Sequence, residues 1–272
     1  TEVLKTKTNA VRKKKMKRHL QKKTSKDVDL TAVEQIAVPH KPMSTKNAGL
    51  SFKACFFDDL MNAQKGDWQP GWLEVITENF LGDQGRRLKS LRSLGELYPL
   101  ALHGVGLNIA SPEELDHEYL KQLKELERET RPVRVSDHLC WCGAGGAHFH
   151  DLYPFPYTEE TFQLIKRKVE QVQETLGRPL VLENLSAYLA HTENEMTENE
   201  FLNRLCAETG CLRLVDVNNL QVQAENFGTD PFQTLDAIPE KTIAEYHLAG
   251  FIRKEKFTLD THSDAVYPEV WD

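Results

Sequence analysis

From Gly49 onward, apolar positions fall in short runs that close on a polar residue, with longer stretches of three- and four-residue apolar spacing between them. The runs are Trp72–Ile76, Leu100–His103, Val133–His138, Leu180–Glu183, Leu212–Val217, Ile243–Leu248 and Phe257–His262, which predict seven strands. Ser111-Pro112-Glu113-Glu114 reads as a capping box with proline at the first helical position, predicting a helix to about Glu129. Thr158 precedes Phe162, Ile165, Val169, Val172 and Leu176 at helical spacing, and Gly177 stops that run. A second box, Thr197 to Glu200, opens a helix through Phe201, Leu202 and Leu205 that ends at Gly210. Alternating strands and helices predict parallel strands joined by right-handed crossovers. Ligand-type residues at the strand ends favour a (β/α)8 TIM-type barrel over an open doubly wound sheet, because barrel chemistry sits at the carboxyl ends of the strands. The pattern is one strand short. It stops at Val270-Trp271-Asp272, where an eighth helix and strand are expected, so the reading expects the eighth strand to be cut off.

Upstream of this rhythm the pattern changes. Residues 1 to 47 lack the apolar periodicity of a core and read as a basic, poorly structured extension to a catalytic domain over 48 to 272. A helix over Ala10 to Lys23 is compatible with the spacing, and Met43 reads as a natural start for the globule. Eleven Lys/Arg against Glu2 and Asp27 give the first 27 residues a charge of +9, which leaves −16 of the formal −7 on the other 245. A globule so acidic does not bind polyanions over its general surface, so any nucleic-acid contact is expected through residues 1 to 27. No run reaches the roughly 18 apolar residues of a membrane span, and no signal peptide is evident, so a cytoplasmic location is expected. The five cysteines show no disulfide framework and are expected to be reduced. Cys140 and Cys142 are close enough in sequence to invite a ligand or redox reading, against the plainer one of two thiols on a strand end.

The strand ends carry His103, His138, Glu183, Asp216, His247, Asp260 and His262. One such histidine is commonly a hydrogen-bonded structural residue. Seven such groups converging in a barrel are different, because the carboxylates repel unless cations neutralise them. Imidazole and carboxylate without thiolate suit iron, zinc or manganese. Asp260-Thr-His262, read as a strand, puts both side chains on one face, where they can hold one ion. Asn219, in Asp216-Val-Asn-Asn219, offers an oxygen ligand or a turn residue, and His148-Phe-His150-Asp151 serves either the site or the order of its loop.

Eight ordered blocks carry a family resemblance. They are Gly71-Trp-Leu-Glu-Val75 with Glu78-Asn79, Leu102-His-Gly-Val-Gly-Leu107, Ser136-Asp-His-Leu139, His148-Phe-His-Asp-Leu152 with Pro156-Tyr-Thr158, Leu182-Glu-Asn184, Asp216-Val-Asn-Asn219, His247-Leu-Ala-Gly250 and Asp260-Thr-His262. Residues 48 to 272 thereby resemble the multinuclear non-heme iron-dependent oxidative enzymes, a TIM-barrel group that modifies ribosomally made peptides. The resemblance implies metal ligation by His103, His138, Glu183, Asp216, Asn219, His247, Asp260 and His262. Glu183 is implied as the bridging carboxylate, and Glu183, Asp260 and His262 as the catalytic members. Two departures stand out: Asp137 where many relatives have Glu, and His150 where Asn is usual. The family's last glutamate ligand, on the eighth strand, has no counterpart here.

The implied activity is dioxygen-dependent oxidation of a residue, very often cysteine, in a precursor peptide at two or three Fe(II)/Fe(III) ions. A partner protein that captures the leader peptide is implied as well. Two other classes fit the residues. One is a metal-dependent phosphodiesterase similar to abasic-site endonucleases, which the acidic globule disfavours because phosphate contacts need a basic groove. The other is a non-catalytic barrel scaffold with an RNA- or partner-binding arm, which the nearly complete ligand set disfavours.

Overall fold

The computed structural model describes residues 48–63, 69–82 and 85–271. The Ala10–Lys23 helix and the rest of the basic extension lie outside the described residues. Seven strands form one parallel sheet: β1 (Gly49–Ser51), β2 (Trp72–Ile76), β3 (Leu100–Gly104), β4 (Arg134–His138), β7 (Val181–Glu183), β8 (Leu212–Asp216) and β9 (Ile243–His247), in that spatial order. The hairpin β5 (Trp141–Ala144) with β6 (Ala147–Tyr153) rises after β4, and β10 (Phe251–Arg253) pairs antiparallel with β11 (Thr258–Asp260) after β9.

Helices cover the outside of the sheet. They are α1 (Phe57–Asn62), α2 (Arg86–Leu97), α3 (His117–Thr130), α4 (Glu159–Leu176), α5 (Glu198–Thr209), α6 (Val217–Phe227), α7 (Pro231–Asp236) and α8 (Pro268–Trp271). Leu91, Leu94, Phe162, Ile165, Val169, Phe201, Leu202 and Leu205 pack from α2, α4 and α5 against Leu73, Val75, Leu100, Leu102 and Leu182 of the strands. Full burial of side chains of this size stabilises by about 1.5–3 kcal/mol each before the cost of ordering the chain.

Two expectations are corrected. The run Phe257–His262 is not a strand of the barrel sheet; its middle, Thr258–Asp260, is the second strand of an antiparallel pair, and Gly49–Ser51, too short to register as a run, is the seventh parallel strand. The Ser111 box does not open a helix. Ser111 Oγ accepts only the Glu113 N–H, in a turn, and α3 begins six residues later, where Asp116 accepts the N–H groups of Glu118 and Tyr119. The other two helix readings match: Thr158 caps α4, which ends at left-handed Gly177, and Thr197 with Glu200 forms the capping box of α5, which ends at left-handed Gly210.

Candidate metal centre

Strand periodicity decides which side chains meet. On β4, Ser136 and His138 face the sheet's concave interior, while Asp137 between them faces outward and is met by Tyr119 of α3. Register then aligns the ends: His138 is the Cα partner of Glu183, Asp216 that of His247, and Ile76 that of His103. Glu183 Oε2 lies 3.1 Å from His103 Nε2 and 3.2 Å from His138 Nε2, and Oε1 lies 3.4 Å from His247 Nδ1. Asp216 Oδ2 faces His262 Nε2 at 3.0 Å and His247 Nδ1 at 3.8 Å, and Asp260 Oδ1 faces His262 Nδ1 at 2.6 Å. His247, at the end of β9, reaches across the interior to Glu74 Oε2 of β2, 3.0 Å from Nε2.

Outer contacts fix these rings. His103 Nδ1 pairs with Ser136 Oγ at 2.9 Å, and His138 Nδ1 with the Gly104 carbonyl at 2.9 Å, so each ring turns Nε2 toward Glu183. Asp216 has two tasks: Oδ1 accepts the Asn219 N–H at 2.7 Å and caps α6, which leaves Oδ2 for the site. Asn219 donates from Nδ2 to the Asn184 carbonyl, and its buried Oδ1 has no hydrogen-bond partner. Asn184 in turn holds the Asp216 backbone through both its amide atoms.

The electrostatics follow from burial and crowding. Burial alone would lower the His103 pKa, but the Glu183 carboxylate, helped by Glu74, holds it up at about 9. Burial likewise opposes protonation of His262, yet Asp216 and Asp260 bring it to about 10. His247 is raised well above the usual imidazole range by Glu183 and Glu74 against its burial. His138, for which burial wins, is lowered. Glu183 is buried too, but the surrounding imidazoles push it well below the carboxylate norm. Without a metal, protons on the imidazoles neutralise the carboxylates.

The residues fit a metal. Glu183 is 1% exposed, and its Oε2 sits beside two imidazole nitrogens, yet accepts no well-formed hydrogen bond. A buried carboxylate oxygen among ligand nitrogens that lacks a well-formed hydrogen bond leaves a place for a cation. Two groups have ligand atoms within 4.8 Å of one another: His103, Glu183 and His247, and Asp216, His247 and His262. They share His247, whose Nδ1 has one lone pair and can serve an ion of one group only, leaving the other group its remaining residues. A third group, Glu74 with Glu245 and His247, lies below. The sequence reading missed Glu74; its signal was a carboxylate in the middle of the apolar run Trp72–Ile76.

Some candidates join the cluster by another route than expected, and some stay out of it. Asp260 and His262 meet across a turn, not along a strand: β11 ends at Asp260, and His262 has a left-handed φ of 50°. His150 is exposed on β6, while Asp151 beside it lines the cavity; the side chain of His148 lies outside the described residues. Cys140 and Cys142 pack with Leu185 and Leu152 and enter none of the groups found among the described residues. All five cysteines stand as free thiols.

Above the cluster is an open cavity of about 1070 Å³ whose wall includes Trp72, Ile76, Tyr188, Tyr246, Leu248 and Leu259. A family model described as RiPP precursor modification enzyme MbnB/TglH/ChrH matches residues 47–272. The chain belongs to this family. A UPF0276 protein of Acaryochloris marina is 45% identical over 200 residues, covering 74% of this chain and 72% of that one. Another, of Chromobacterium violaceum, is 42% identical over 223 residues, with 82% and 79% covered. Among solved structures, an L-ribulose 3-epimerase matches with a TM-score of 0.53 at 14% identity over 74% of this chain and 69% of that one. The 3-keto-D-glucoside 4-epimerase YcjR from E. coli gives 0.50 at 15%, with 74% and 78% covered. These two share the barrel fold with this MbnB/TglH/ChrH member. Among its described residues, no helix is long and apolar enough to cross a membrane.

Proposed function

We propose that this chain carries out dioxygen-dependent oxidation of a residue, cysteine above all, in a ribosomally synthesised precursor peptide, at a centre of two or three iron ions. Its ligands are His103, His138, Glu183, Asp216, Asn219, His247, Asp260 and His262, with Glu183 shared between ions. The observation that carries this reading is the buried Glu183 Oε2, without a well-formed hydrogen bond amid converging imidazoles, at a cavity of about 1070 Å³. Family membership supplies the substrate class.

Bound iron supplies redox chemistry with dioxygen and a seat that favours the thiolate form of a substrate cysteine. The protein's own residues do the rest. Ser136 and the Gly104 carbonyl hold His103 and His138 in one orientation, so no reorganisation is needed when ligands bind. Asp216 and Asn219 stay in place through Asn184, and Asp260 through the Asn218 amide at 2.9 Å and Ser186 at 3.3 Å. Tyr246 and Leu248 at the cavity wall offer apolar surface to the peptide. The hydrolytic alternative is weaker. Among the described cavity residues, Lys53 is the one Lys or Arg, against Glu74, Asp151, Glu183, Asp260 and Asp264, which is the wrong field for a phosphate backbone.

The test is a mass change in a cysteine-containing precursor peptide, sought with iron-loaded protein in air and under argon. Conversion in air alone supports the proposal. Equal turnover by zinc-loaded protein without oxygen contradicts it. A leader-binding partner protein and the cytoplasmic setting belong to the same proposal, and co-purification with a neighbouring gene product tests the first.

A further inference from the structure

We propose that Glu74 is a positioning residue of the metal centre: it holds His247 with Nδ1 turned to a metal ion and the ring proton on Nε2. This rests on the reading of His247 as a ligand.

His247 is the one imidazole shared by both upper groups. Its Nδ1 faces Glu183 Oε1 and Asp216 Oδ2, and its Nε2 points the other way, 3.0 Å from Glu74 Oε2. A neutral imidazole has one N–H and one lone pair, so a carboxylate at Nε2 sets which nitrogen is free to bind. Glu74 is 5% exposed, on a different strand from every ligand, and belongs to β2, whose backbone is fixed between β1 and β3. The anchor is therefore rigid.

The competing reading makes Glu74, Glu245 and His247 a cation site of their own. Arg134 argues against it. Its Nε donates to Glu245 Oε2 at 2.8 Å, and its guanidinium lies over the Trp72 ring at 4.5 Å from the centroid. A fixed positive charge on Glu245 repels a second cation there and leaves Glu74 to His247. The interior thus has two storeys: an upper one of ligands, and a lower one of Glu74, Glu245 and Arg134 that orients and balances it.

The test uses metal-free full-length protein titrated with Co(II) against a chelator, for wild type, Glu74→Ala and Glu74→Gln, with the metal content at saturation. Loss of a second contact of this kind weakens metal binding by roughly 10–100-fold, so Glu74→Ala should bind that much more weakly at unchanged stoichiometry. Glu74→Gln keeps an acceptor oxygen for the same N–H and should recover to within about tenfold of wild type. Wild-type affinity in Glu74→Ala would overturn the proposal. So would loss of a whole equivalent in Glu74→Gln, since Glu74 would then be a ligand. Should Glu74→Ala not fold, nitrogen-15 spectra of the zinc-loaded wild type decide: a proton on His247 Nε2 supports the proposal, and one on Nδ1 overturns it. A wild-type protein that takes up no cobalt contradicts the metal centre itself, an outcome separate from these.

Discussion

Glu183 and His103 stand on strands separated by β4, yet Oε2 and Nε2 lie 3.1 Å apart. The curl of the sheet brings them together, and the carboxylate is fully enclosed. Replacing Glu183 with Gln keeps the volume and removes the charge shared by three imidazoles. The expected result is loss of at least one metal equivalent by elemental analysis and a fall in peptide oxidation of about 10²–10³-fold, roughly the loss seen when one central electrostatic group is removed.

Proton release accompanies metal uptake. His103 at about 9, His262 at about 10 and the raised His247 hold protons at pH 7 in the metal-free protein, and ligation removes them. Metal affinity should therefore rise with pH through 9 to 10. Stability of the metal-free fold should move the other way: raised pKa values stabilise below the ordinary imidazole value of 6.5 and lose that contribution as pH climbs through the folded ones. Calorimetry in buffers of different ionisation enthalpy, with urea unfolding of the metal-free protein from pH 6.5 to 10, checks both slopes.

Asp216 separates folding from ligation. Asn caps helices as well as Asp, so Asp216→Asn should keep the cap of α6 while weakening metal binding through the lost Oδ2 charge, and should lower the metal-free unfolding midpoint at neutral pH only by what the His262 pair contributes. Asp216→Ala removes the cap also and should cost about 1 kcal/mol more in urea unfolding.

Gly250 ends the His247-Leu-Ala-Gly block for a steric reason: a Cβ there would lie 2.5 Å from the backbone oxygens of Ala265 and Asp264. Gly250→Ala should push away the segment that follows His262 and cost about 1–3 kcal/mol as overpacking does. Thermal unfolding reads the stability, and cobalt titration should show weaker binding from displaced Asp260 and His262.

Thiol labelling offers a simple check of the packing. Cys55 is exposed and the other four cysteines are buried, so one thiol should react quickly in the native protein and the rest only on unfolding.

The barrel was legible where strands were buried on both faces, because Trp72–Ile76, Leu100–Gly104 and Leu212–Asp216 read as mainly apolar runs with one or two polar residues each. Gly49–Ser51 was not, since three residues carry no period, and Phe257–His262 misled because a run does not say which neighbour it pairs with. The site residues were visible as polar ends of those runs, and register explains why they meet. Glu74 escaped because it sits inside a run, and its partner His247 is 173 residues away. Likewise the choice of Asp116 over Ser111 as the cap of α3 depends on which backbone N–H groups are left for each side chain, a tertiary matter.

Anomalous diffraction at the iron edge from crystals of iron-loaded protein is the most direct measurement. The account predicts peaks among His103, Glu183 and His247 and beside Asp216 and His262. Crystals that retain iron elsewhere, with these side chains joined only to one another, would contradict it.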